Sequence, residues 1–247
     1  MFSSLRCVWV VFSREFRAYF STPLAAIFLA VFLALAAGLT FFAGGFFARQ
    51  QADLGAFFTW HPWLLLILRQ AIGMRLWAEE RRSGTIELLM TLPVNTWALV
   101  AGKFLAGWAF AGIALVLTMP IWWTVNYLGS PDNGVIAASY LGSFLMAGAF
   151  LAISACISAL TRNQVIAFIG AAIIGFLMVM AGSDLVLSAI RSWAPPMFTE
   201  AIQSLSFIGH FVRLTRGVLE LPTVFFFVSL IVLCLWINVQ NVNANRS

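Results

Sequence analysis

Few residues in this chain have side chains able to do chemistry. Glu79 and Glu80 are adjacent and are followed at once by Arg81 and Arg82; a carboxylate pair is raw material for acid–base work only when a partner sets the two protonation states apart. His61 and His210 are the two histidines, and neither stands at metal-ligand spacing from a carboxylate or from the other. His61 precedes Pro62 and reads as an interfacial loop residue. Cys7, Cys156 and Cys234 are far apart and form no CxxC, which implies neither a disulfide framework nor a metal site. Gly102–Lys103 lacks the upstream glycine and the downstream Ser or Thr of a phosphate-cradling loop. Any ATP that drives this protein must therefore bind another chain. No residue set qualifies as catalytic, so the chain is expected to be no enzyme and to hold no cofactor or metal of its own.

The elements that carry these residues are set by composition. Of 247 residues, 62% are hydrophobic and only 9% charged, against roughly a quarter charged in ordinary globular chains. Mean hydropathy is +0.96. A soluble fold of this size could not hide so much apolar surface, whereas lipid can accommodate it, so the expectation is an all-α polytopic membrane protein. The net charge of +5 is spread along apolar segments instead of forming a basic stripe, which argues against nucleic acid as a partner.

A window of about 19 residues places six spans near 24–47, 57–76, 98–126, 137–160, 164–183 and 222–240. Spans four and five, linked only by Thr161–Arg162–Asn163–Gln164, should form an antiparallel hairpin. Arg6, Arg14, Arg17, Arg75, Arg81, Arg82, Lys103, Arg162 and Arg246 fall on one side of these spans. Positive loops stay cytoplasmic, so both termini of this multi-pass protein are expected there. Residues 1–22 read as an amphipathic interfacial helix that turns at Ser21–Thr22–Pro23 into span one, an elbow. Four-residue ladders of small side chains, Ala26, Ala30, Ala34 and Gly38 on span one and Ala167, Ala171 and Gly175 on span five, fit either internal packing or a subunit interface.

Between spans two and three, residues 77–96 read as a cytoplasmic loop of two short helices joined at Gly84. Thr85 can cap the second piece, Glu87 sits in its first turn, and Pro93 follows near its end. Its apolar side chains suit either a surface helix folded on the bilayer or a knob that enters a groove on a cytoplasmic partner. Arg69, within span two, either faces a translocation path and favours an anionic substrate group, or snorkels, or pairs with an acid such as Glu79.

The run MRLWAEERRSGTIELLMTLPV at 74–94, followed by Gly102–Lys103, resembles the signature loop of ABC-2 type transporter permeases, in the form found in the branch of gliding-motility and nitrous-oxide-reductase-maturation permeases. REFRAYFSTPLA at 14–25 and SLSFIGHFVRLTRGVLEL at 204–221 agree more loosely. A second, partial likeness, of Glu79–Glu80 to membrane-embedded prenyl proteases, stops at Gly84, where that signature has Arg. The ABC-2 resemblance implies one transmembrane permease domain over residues 1–247, an exporter subunit whose second copy makes a homodimer and which pairs with a cytoplasmic ABC ATPase dimer carrying ATP and Mg. It also implies that 77–96 is the coupling helix: Glu79, Glu80, Arg81 and Arg82 in polar contact with the ATPase, Gly84 and Thr85 at the bend, and Ile86, Glu87, Leu88 and Leu89 in the docking segment. His210, Phe211, Arg216 and Gly217 would belong to an extracytoplasmic, re-entrant region at 184–221 that gates the path. A companion membrane protein with a large extracytoplasmic domain, and membrane lipids, complete the implied partners. The reading outside this class is a membrane scaffold or assembly factor whose loop anchors a cytoplasmic protein and moves no solute.

Overall fold

Proline and glycine punctuate the apolar runs and divide them into helices. In a computed structural model, which describes residues 4–21, 23–49, 51–91, 95–191, 195–218 and 220–244, the chain forms no strand among those residues. Helix α1 covers Ser4–Phe20. Helix α2, Pro23–Gly38, opens on a proline whose missing N–H is no loss in a first turn and continues into a π-helical turn, Leu39–Ala43. There follow α3 (Gly55–Thr59), α4 (His61–Gly73), α5 (Arg75–Ser83), α6 (Thr85–Thr91), α7 (Thr96–Val116), α8 (Met119–Leu128), α9 (Asn133–Ser158), α10 (Gln164–Met180), α11 (Asp184–Arg191), α12 (Pro196–Ser204), α13 (Phe207–Leu214) and α14 (Leu221–Asn243).

Among the described residues four segments are long and apolar enough to cross a bilayer: Ala25–Ala43, Thr96–Leu128, Asn133–Ser158 and Leu221–Asn243. Span two is not the continuous helix expected at 57–76. It breaks at Trp60, before Pro62, and again at Met74, and α4 with its 13 residues rises only about 20 Å at 1.5 Å per residue. Span five, α10, has 17 residues. Thr96–Leu128 is interrupted at Leu117–Thr118, where Pro120 has no N–H to donate to the preceding turn.

Helix α9 is the axis of the bundle, packed against α4, α7, α10, α13 and α14. Its core-facing side is rich in Gly, Ala and Ser, including Gly142, Ala147, Gly148, Ala152, Ser154 and Ser158, all buried. Lipid offers no hydrophobic drive for helices to associate, and small side chains let backbones approach until dispersion contacts and interhelical hydrogen bonds hold them. A Cβ at Gly148 would stand 2.8 Å from Trp108 Nε1, and that indole donates to Phe144 O at 2.9 Å. The expected hairpin of spans four and five is present: α9 ends at Ser158 and α10 starts at Gln164, with the Asn163 side chain accepting from Val165 N–H at 2.9 Å.

The two small-residue ladders have different fates. Ala167, Ala171 and Gly175 are buried against the bundle, with Gly175 facing Gln70 and Phe150. On α2 the core side is instead Ala25, Phe32 and Ala36, while Ala26, Ala30 and Ala34 face outward.

Candidate functional site: an ion-anchored loop at one end of the bundle

The segment that breaks out of span two is tied to the bundle by backbone hydrogen bonds. Where α4 gives way to α5, the first N–H groups of α5 have no partner of their own. Ser158, on the last turn of α9, supplies one: its Oγ accepts from Trp77 N–H (3.1 Å) and Ala78 N–H (2.9 Å) and donates to Met74 O at 2.8 Å. One turn earlier, Ser154 Oγ donates to Gln70 O at 3.3 Å. The contact is so close that a Cβ at Gly73 would lie 2.3 Å from Ser154 Oγ.

A second tether is ionic. Lys103 on α7, its side chain 3% exposed, donates to Glu80 Oε1 at 2.7 Å and to Glu15 Oε1 at 3.3 Å. Its ammonium also lies 5.2 Å from the centre of the Trp77 ring, within the range of a cation–π attraction. Arg14 pairs with Glu15 and stands 3.7 Å from Glu80 Oε1. One lysine thus joins α1, α5 and α7. Helix α1 can reach it because Gly102 lets Val11 pack directly on the α7 backbone and because Tyr19 stacks on Phe110 at 5.4 Å.

The two carboxylates respond oppositely. Burial pushes Glu15 up, but Lys103 and Arg14 more than offset it and hold the carboxyl below its ordinary value of 4.5. For Glu80 burial outweighs the attraction of Lys103, and the nearby charge of Glu15 adds to the rise.

Beyond this anchor the loop projects as the sequence reading describes. Gly84 has φ +73°, a left-handed conformation that ends α5 and admits glycine without strain. Thr85 is not the expected cap of α6: its hydroxyl turns back to Ser83 Oγ (2.9 Å) and Glu80 O (3.5 Å), closing the end of α5. Glu79 pairs with Arg75 at 3.0 Å and remains exposed. Arg82 and Glu87 are exposed, and burial together with the charge of Arg162 lowers Arg81. Glu80 is drawn inward to the Lys103 cluster, and Arg81 is also half-buried, its Nε without a hydrogen-bond partner among the described residues. Ile86 and Leu89 are half-buried, resting on the bundle. The Leu88 side chain, and Leu92, Pro93 and Val94 at the end of the expected loop, lie outside the described residues.

Other sequence-predicted residues lie elsewhere. Arg69 is 1% exposed on α4, and its Nε and Nη1 have no hydrogen-bond partner among the described residues. It neither snorkels nor pairs with Glu79, which Arg75 has taken. His61 is not a loop residue: it is fully buried at the start of α4, with Nδ1 2.7 Å from Ser143 Oγ and its ring against Phe57 and Phe58. At the opposite end of the bundle, His210 contacts Ser204 O at 2.9 Å through Nε2 and stacks on Phe226. Phe211 is buried against Gly142, Gly217 has φ +80° beside Val135, and Arg216 is exposed. Residues 192–194, Leu219 and the side chain of Arg191 in this region, and Arg246 at the chain end, are outside the described set.

The sequence reading missed Glu15. A lone acid among the arginines of an amphipathic helix, matched to a lysine inside an apolar span, was the available signal.

A search of curated proteins finds no match. The family model described as ABC-2 family transporter protein matches residues 62–242, most of the chain, from the start of α4 to the last turn of α14. That match, over an all-helical bundle with apolar spans, shows that the chain is a membrane permease component belonging to the ABC-2 transporter family.

Proposed function

We propose that this chain is the permease subunit of an ATP-driven exporter and that the loop α5–α6 is its coupling element. The observation that carries the reading is the double tether of that loop: backbone bonds to Ser158 and the Lys103 ion cluster bind α5 to α1, α7 and α9 at once. A cytoplasmic ATPase that moves α6 therefore moves three helices, because α5 cannot tilt without dragging its anchors. Glu79, Arg81, Arg82 and Glu87 are the polar contacts offered to the ATPase, with Ile86 and Leu89 the apolar ones and Gly84 the bend. Glu80 serves inside, as the anchor. ATP and Mg belong to the partner ATPase.

On this reading α4, with α3 before it, and α10 complete six crossings, and both termini are cytoplasmic in a bacterial inner membrane. The location of Arg14, Arg75, Arg81, Lys103 and Arg162 at one end of the bundle supports that orientation. Helix α1 is the interfacial elbow, with Leu5, Trp9 and Val10 turned outward. The outward ladder Ala26, Ala30, Ala34 supports a second copy packed along α2. The likeness to the gliding-motility and nitrous-oxide-reductase-maturation branch adds a companion protein with an extracytoplasmic domain, above a gate at His210, Phe211, Arg216 and Gly217. Co-purification of the full chain from its native membranes tests the reading. An ATP-binding subunit should accompany the wild type and be lost from Arg82→Glu with Leu89→Asp; its absence from the wild type would overturn the proposal.

A further inference from the structure

At the end of the bundle away from the loop lies a cavity of about 550 Å³ between the start of α4, the start of α9, and α13. Its size is that of a small-molecule site. The walls are apolar and aromatic, from Phe58, Trp63, Ile136, Ile208 and Phe211.

The aspartates and hydroxyls on its lining share one property. Asp53 and Asp132 each use Oδ1 to accept backbone N–H groups, Asp53 from Gly55 at 2.9 Å and Asp132 from Gly134 and Val135 at 2.9 and 3.2 Å. Each Oδ2 is left without a partner, and neither aspartate is ion-paired, among the described residues. The hydroxyl protons are already committed to backbone carbonyls: Thr59 to Gly55 O (2.7 Å), Ser139 to Val135 O (2.7 Å) and Thr215 to Val212 O (2.9 Å). Pro62 and Pro131 have no N–H to give. These aspartates and hydroxyls therefore accept hydrogen bonds and carry negative charge; the side-chain donor on the lining is the Trp63 indole N–H.

We infer that this cavity binds an amphiphile with a protonated amine head and an apolar body, the amine between Asp53 and Asp132 and the body against the aromatic walls. A donor-rich cation is the complement of two fixed carboxylates and acceptor-only hydroxyls, and Trp63 adds a ring face suited to a cation. An anionic amphiphile meets two like charges. The inference does not depend on ATPase coupling.

The test is equilibrium binding to the full chain in nanodiscs of zwitterionic lipid, with empty discs subtracted. The probes are n-decylammonium, n-decyltrimethylammonium and n-decyl sulfate. Decylammonium should bind saturably at one site per chain, the quaternary cation more weakly because it has no N–H, and the sulfate not above the empty discs. Asp53→Asn with Asp132→Asn keeps the Oδ1 acceptors of the backbone N–H groups, since Asn accepts them as well as Asp, and should weaken the amine by about tenfold or more. Val212→Trp, at the exposed rim, should block the site while leaving the unfolding temperature unchanged. Equal binding of amine and sulfate, or of the wild type and the Asn pair, would mean an amphiphile partitioning into the bilayer only and would overturn the inference. Because no ATPase is present, that failure would leave the permease proposal standing.

Discussion

Lys103, its side chain almost wholly buried, compensates two mostly buried carboxylates. Removing one partner of such a buried group strands the charges that remain, at a cost of roughly 3–5 kcal/mol. Lys103→Met should therefore lower the unfolding temperature in detergent markedly, whereas Glu79→Gln, which breaks only the exposed pair with Arg75, should change it little. The two acids give opposite pH signatures. Glu15 is depressed when folded, so it stabilises above its unfolded value, and the stability lost in Glu15→Gln at neutral pH should shrink as pH falls through the folded value. Glu80 is raised when folded, so its contribution is complete below the unfolded value and declines as pH rises through the folded one. Against Glu80→Gln, the wild type should lose stability over that rise; unfolding profiles of both variants read the signs. Arg69 is a different case, a buried guanidinium with two nitrogens that have no hydrogen-bond partner among the described residues. Arg69→Met should leave thermal stability equal or raise it while impairing transport, with ATPase attachment intact. Unchanged transport would show that Arg69 does not act on the path.

At the scale of elements, the junction of α4 and α5 decides how movement of the loop reaches the bundle. Gly73→Leu must push α4 off Ser154, so it should destabilise the fold and weaken the loop's attachment. Gly84→Ala meets no atom within 4 Å and loses only the ease of the left-handed turn, about 1–2 kcal/mol. Hydrogen exchange of α5 amides distinguishes the two, rising widely for the first and at the helix end for the second. Much of this element layout is legible in the sequence. Amphipathic periodicity gives α1, the turn 129–134 separates α8 from α9, and Gly84 with its flanking charges gives the bend. A hydropathy window sums residues and is blind to a break, so span two looked continuous, although Pro62 was there to mark its interruption. Glu15 offered only its lone charge as a signal, because its partner Lys103 lies 88 residues away and only packing brings α1 to α7. His61 was misplaced for the same reason: its partner Ser143 is 82 residues on, across the bundle.

At the scale of the whole molecule, one end of the bundle gathers Arg14, Arg75, Arg81, Arg162, Lys103 and the loop, and the other holds Asp53 and Asp132, with Arg49, Arg213 and Arg216, and the short helices α11–α13. The periodicity of small residues foretold two tight helix contacts without saying which was internal, because a stripe of alanines is the same whether a neighbour in the chain or a second copy covers it. The fold assigns α10 to the core and leaves α2 open. Ala30→Cys should give a disulfide-linked dimer in oxidised native membranes, and Ala36→Cys, buried within the chain, should not. The central claim, that the anchored loop transmits ATP-driven movement, is tested most directly by steady-state ATP hydrolysis of the purified complex in nanodiscs, with the wild-type chain and with Glu80→Ala. The account predicts an ATPase that stays attached through α6 but loses permease-dependent hydrolysis when the anchor is cut. Attachment with hydrolysis unchanged would contradict it and leave the loop a mere mooring for a cytoplasmic protein.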